Sequence, residues 1–166
     1  MRTRLTSFIL AILILPLALV GAEAPDSIAV TGEDLVVTTH AKGAQVYECK
    51  ADITGKLTWQ FREPIAMLLV DDRAVGRHFA GPTWELADGS AVVAKVSSRA
   101  PGATASDIAL LKLDVTSRQG SGQLSDIATI QRLNTKGGVA EGACESAGVL
   151  LSVPYTADYK FYKKRT

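Results

Sequence analysis

Apolar and polar residues alternate along this chain in short runs with period two. Leu57, Trp59 and Phe61 fall on one side of such a run, and Thr58 and Gln60 on the other. Leu111, Leu113 and Val115 alternate with Lys112, Asp114 and Thr116 in the same way. Near the end, Val153, Tyr155, Ala157, Tyr159 and Phe161 oppose Thr156, Asp158 and Lys160, and Pro154 puts that run at a strand start or a sheet edge. Further β-branched or apolar runs cover Leu35–Thr39, Gln45–Cys49, Ile65–Val70, Val75–Phe79 and the stretch up to Val96. Leu124–Leu133 is ambiguous: Ile127, Ile130 and Leu133 have helical spacing, while Thr129-Ile130 favours a strand.

Turn signals separate these runs: Lys42-Gly43, the start of a new run at Pro64, Asp71-Asp72-Arg73, Gly81-Pro82, Asp88-Gly89, Pro101–Thr104, Gly120-Ser121-Gly122, Asn134–Gly138 and Gly142–Gly148. Asp88-Gly89, with apolar runs on both sides, is the strongest hairpin signal. About nine or ten short strands with almost no amphipathic helix predict an all-β antiparallel sandwich or small barrel in one domain. A membrane-spanning barrel is not expected, because aromatics make up only 6% of the chain and the runs look short.

The first residues change the picture of where the chain works. Arg2 and Arg4 precede an apolar stretch, Phe8–Val20, that is too short to span a bilayer comfortably. Val20-Gly21-Ala22 fits a cleavage site, and a cut after Ala24 would leave Pro25 beside it. Residues 1–22 therefore read as a signal peptide, and residues 23–166 as one secreted or periplasmic domain. The remaining chain of about 144 residues is long enough for one core. The full chain has 18 basic and 17 acidic residues, and the leader takes two arginines with it. That balance argues against nucleic acid and against an anionic membrane surface as partners. Cys49 and Cys144 are the only cysteines, and in an exported chain a lone pair reads as a disulfide. Closing a loop of about 96 residues stabilises by roughly 4–5 kcal/mol on the chain-entropy model.

Chemistry is sparse. His78-Phe-Ala-Gly-Pro-Thr-Trp-Glu85 brings an imidazole, an indole and a carboxylate together, with Asp88 close behind. One reading makes this a small-ligand pocket of His78, Trp84 and Glu85, with Tyr155 from the last strand. A second uses His78 with Glu85 or Asp88 as the general base of a small hydrolase, lyase or isomerase. A third makes Trp84 and His78 core, as in a purely structural or interaction domain. If Thr83–Leu86 is a strand, Trp84 and Glu85 point to opposite faces, and a His78–Trp84 pair on one face leaves Glu85 out. Tyr155, Tyr159 and Phe161 match an inward-facing core stripe, and Arg132 is a candidate partner for Asp158 or Glu85. With only His40 and His78 and no spaced oxygen ligands, no metal site is expected. No nucleophile elbow or phosphate-binding glycine motif is present, and no cofactor is implied. A small molecule or an envelope protein is the expected partner.

Tyr47-Glu-Cys49, Trp59, His78–Glu85 with Asp88-Gly-Ser90, Ile130–Gly138, Cys144 and Val153–Tyr162 occur in order. Together they resemble the exported domain of unknown function family number thirty-four fifty-five, from about Gly43 to Tyr162. The resemblance implies a secreted or periplasmic single domain and carries no established activity. Ile108-Ala-Leu-Leu111 departs from it, since the family tends to have Pro-Trp there.

Overall fold

A computed structural model describes residues 24–166. The signal peptide expected over residues 1–22, with its cleavage site, lies outside the described residues. The eight strands are β1 (Glu33–Ala51), β2 (Leu57–Val70), β3 (Arg73–Phe79), β4 (Thr83–Leu86), β5 (Ala91–Ala100), β6 (Leu110–Gln119), β7 (Ile127–Gly137) and β8 (Leu150–Lys164). Each pairs antiparallel with its neighbours in sequence, and β8 pairs with β1 to close a barrel. Closure leaves no free sheet edge along that seam, which runs from Glu33↔Lys164 to Glu48↔Leu150.

The expected strand count was too high because two apparent boundaries lie inside strands. Lys42-Gly43 is not a turn: Gly43 pairs with Ala66 and Tyr155 in the middle of β1. A Cβ there would lie 2.1 Å from the Ile65 carbonyl oxygen, so glycine is required by close backbone approach. Pro64 likewise sits within β2, just beyond the end of the β3 pairing, which covers only Ala66–Val70. One side of β2 is unpaired there, so a missing amide proton is tolerated. Asn134–Gly138 also belongs mostly to a strand, β7.

The helical spacing of Ile127, Ile130 and Leu133 has a different cause. A register shift between Ile127 and Thr129 lets Ile127 and Ile130 both join the barrel core. Leu133 faces outward, yet it is buried with Ile28 and Ala100 under the N-terminal segment. The amide of Gln131 fixes that segment by donating from Nε2 to the Ile28 carbonyl at 2.8 Å. Burial on both faces erased the period-two signal.

Trp84, Val92, Leu113, Ile130, Tyr159 and Phe161 fill the barrel interior. The β2–β3, β4–β5 and β6–β7 connections lie at one end. Asp71 and Asp72 form the first of these with φ of 48° and 59°, the left-handed pair that suits a two-residue hairpin. Leu124, from the β6–β7 connection, is fully buried and stoppers this end. Its amide donates to Ser90 Oγ at 3.1 Å, and the Gln123 amide donates to Asp88 Oδ2 at 2.7 Å.

β1, β2 and β8 are 19, 14 and 15 residues long, so short segments do not argue against a membrane barrel. Polarity does: the outer face of β1 and β8 carries His40, Lys42, Asp158 and Lys160 around an apolar interior. Membrane barrels have the opposite arrangement, an apolar outer band. Among the described residues no helix is long and apolar enough to cross a membrane.

Candidate functional site

The other end of the barrel is open. The β1–β2, β3–β4, β5–β6 and β7–β8 connections surround it; β2 rises past the short β3–β4 hairpin, and its first residues bridge instead to the β7–β8 connection at Thr58↔Ala143. A cavity of about 360 Å³ enters the barrel here, near the low end of the range for small-molecule pockets. Phe61, Pro64, Pro82 and Val96 form part of its wall.

The β3–β4 hairpin supplies the aromatic wall. Gly81 takes φ 129° in the turn, and Thr83 Oγ1 donates to the Ala80 carbonyl at 2.9 Å. This sets the register in which His78 and Trp84 stand opposite each other. Their rings stack at 4.2 Å and 12°. Tyr159 meets both edge-on, at 5.1 and 5.3 Å. His78 is 3% exposed, and its Nδ1 is 2.8 Å from the Thr83 carbonyl. Since a carbonyl only accepts, Nδ1 carries the proton and Nε2 is the acceptor nitrogen of the neutral ring. Burial pushes the His78 pKa down to about 3; the Thr83 hydrogen bond opposes this, and the Arg132 charge adds to it.

The expected residues separate cleanly. His78 and Trp84 line the cavity together. Glu85 faces outward, where Arg77 grips it at 2.9 Å while stacking over Phe79. Asp88 is at the stoppered end, accepting from Ser90 and Gln123. Those backbone and hydroxyl donors lower its pKa, with the Gln123 amide contributing most. Neither carboxylate is brought to His78, so the acid–base pair of the second reading does not form. The alternation that put Trp84 inside necessarily put Glu85 outside.

Tyr155 is buried on the inner face, as the stripe implied, below the cavity wall. Its hydroxyl lies beside Tyr159 and Gln45 without a hydrogen bond of good geometry, and burial pushes its pKa up. The expected pairing of Arg132 with Asp158 or Glu85 is also absent. Asp158 lies on the outer face, bonded to His40 at 2.9 Å and Asn134 at 2.7 Å. Arg132 instead lines the cavity and donates from Nε to the Ala109 carbonyl at 3.0 Å.

Gln45 and Arg99 are cavity residues that sequence reasoning missed. Gln45 is 3% exposed, an unusual place for an amide, and its Nε2 has no partner; Trp84 Nε1 has none either. The only available signal was a polar residue at an inward position beside Tyr47. Tyr47 itself is satisfied, donating to the Gly138 carbonyl at 2.7 Å. Gly138 has φ 88°, and a Cβ there would lie 2.9 Å from both Ile108 and Tyr155 and 3.1 Å from Gln45. The connection after it, through Cys144, is joined to the end of β1 by the Cys49–Cys144 disulfide, as expected.

A second and larger groove, about 650 Å³, runs outside the barrel between the Ala24–Val30 segment and β6–β8. It carries both Asp26 and Lys160 and none of the unpartnered donors. The barrel mouth is therefore the stronger site.

These features define a small, disulfide-bonded, closed eight-stranded β-barrel with one open end and an aromatic-walled cavity. The chain belongs to the family described as protein of unknown function (DUF3455), whose model matches residues 30–73 and 69–163. No curated protein and no solved structure matches it. Ile108, Ala109 and Leu111 line the cavity.

Proposed function

We propose that this barrel binds a small organic molecule in its open end, against the His78–Trp84 stack, outside the cytoplasm. An eight-stranded barrel is wide enough to hold one small ligand. The observation that carries this reading is an open cavity lined by the His78–Trp84 stack and Gln45, two residues of which hold buried donors without a protein partner, Gln45 Nε2 and Trp84 Nε1. Leaving a buried donor unpaired costs about 1–3 kcal/mol, a cost that a ligand acceptor relieves. Binding is favoured over proton-transfer chemistry because His78 has a pKa of about 3 and no carboxylate beside it, which makes it a weak base at neutral pH. The disulfide and the leader-like residues 1–22 support an exported location.

A thermal-shift screen of small organic molecules against the oxidised protein tests this. Ala109 lines the cavity, so Ala109→Phe fills it. A ligand at a hundred times its Kd raises Tm by about 5–10 °C. Hits should stabilise the parent chain and leave Ala109→Phe unmoved. Equal stabilisation of both, or no hit at all, counts against the proposal.

A further inference from the structure

The cavity is one-sided in its charge. Its polar groups with hydrogen-bonding capacity to spare are the donors Gln45 Nε2, Trp84 Nε1 and the guanidinium groups of Arg99 and Arg132, beside the neutral acceptors His78 Nε2 and Gln45 Oε1. No Asp or Glu lines it. Among the described residues, no carboxylate lies within salt-bridge distance of either arginine. Seven ion pairs occur elsewhere, but they hold only five of the described Lys and Arg residues (Lys50, Arg62, Arg77, Lys164 and Arg165), so it is the position of Arg132 and not its lack of a partner that matters. Arg132 is half-buried on the inner side. It stands opposite Leu111 and Tyr159 in the sheet. Its charge reaches both His78 and Tyr155, consistent with a guanidinium that points into the barrel.

The remaining wall is apolar. Ile108, Leu111 and Leu113 line it together with the stacked His78–Trp84 pair. A ligand that satisfies both parts has a flat apolar body and an anionic head. A planar guanidinium fork matches a carboxylate two bonds at a time, and a single half-buried arginine suits one negative charge.

Resting on the binding reading above, we propose that the ligand is a monoanionic organic carboxylate. Its apolar ring or unsaturated chain packs on Trp84, and Arg132 and Gln45 hold the carboxylate. Arg99, exposed at the mouth, attracts the anion and adds little to its final grip.

Calorimetric titration of the oxidised protein with benzoate, trans-cinnamate and 2-naphthoate, each beside its own carboxamide, tests this directly. The amide keeps the shape and removes the charge, so the comparison needs no mutant. At least one acid should bind about tenfold or more tightly than its amide. That preference should shrink as salt is raised, and vanish in Arg132→Gln. Because Arg132 also donates to Ala109, circular dichroism and Tm of Arg132→Gln check the fold, and Arg132→Lys should retain part of the preference. Acid and amide binding equally would overturn the carboxylate assignment and leave the binding site standing. No binding by either series would overturn the assignment too, and hits in the thermal-shift screen would then show that the broader reading survives it.

Discussion

His78 makes the barrel acid-sensitive in a calculable way. In the folded chain its pKa is down at about 3, against 6.5 for an unburied imidazole. Between those values the unfolded chain binds a proton that the folded chain refuses, so stability falls as pH falls. The stabilisation is complete above pH 6.5 and is lost progressively toward pH 3. The slope rises to ~1.4 kcal/mol per unit as the unfolded imidazole protonates, so the descent from 6.5 to about pH 4.5 costs about 2 kcal/mol from this one group. The nearest charge, Arg132, repels a protonated ring, and Tyr155 and Tyr159 offer it no counter-charge. The variant for comparison is His78→Gln, which keeps a donor for the Thr83 carbonyl and does not titrate. Urea unfolding of both proteins across this range gives the difference. His40 is on the outer face in both and cancels. Asp52, Asp88 and Asp107, whose pKa values are lowered by hydrogen bonds, are also common to both. The wild type should lose about 2 kcal/mol more than the variant over that descent. Parallel loss in the two proteins would refute the reasoning, as would a His78 C2–H resonance that titrates near neutrality.

Three further outcomes follow from the packing. The Cys49–Cys144 bridge spans 95 residues of sequence, so the double Ser variant should lose about 4–5 kcal/mol in urea unfolding; a loss below about 1 kcal/mol would contradict the chain-entropy account. Gly138→Ala places a Cβ against Ile108 and Tyr155 at φ 88°, and should cost about 1–3 kcal/mol in Tm-derived stability while weakening any cavity ligand; an unchanged Tm would contradict the contact distances. Leu124→Ala opens the stoppered end and should cost about 2–5 kcal/mol, with faster hydrogen exchange at the Ser90 and Gln123 amides; retained protection there would show that the stopper is not needed.

Much of this barrel was legible because period-two burial operates wherever only one strand face is covered. Leu111–Val115 and Tyr155–Phe161 show it, and the same rule placed Trp84 inside and Glu85 outside. It failed where a second physical demand was superimposed. Gly43 looked like a turn because its use, close approach to Ile65 and Ala66, depends on a strand far along the chain. Pro64 looked like a boundary because the end of the β3 ladder is a tertiary fact. Leu133 is buried by the N-terminal segment and not by the barrel. Half of the site was visible for the same reason: His78 and Trp84 share a hairpin. Gln45, Arg99 and Arg132 come from three other strands, and only barrel closure gathers them. Arg132 was noticed as a charge in need of a partner, but the partners considered for it lie on the outer face.

The central claim is that the open end of the barrel receives a ligand at Trp84. The most direct measurement is the indole N–H resonance of Trp84 in a nitrogen-15 spectrum, told apart from Trp59, the other tryptophan, by Trp84→Phe. In the free protein Trp84 Nε1 has no protein acceptor. On titration with a compound that raises Tm, its signal should move downfield as a hydrogen bond forms, while the Trp59 signal stays in place. A Trp84 resonance that is indifferent to every stabilising compound would contradict the account and direct attention to the outer groove beneath Ala24–Val30.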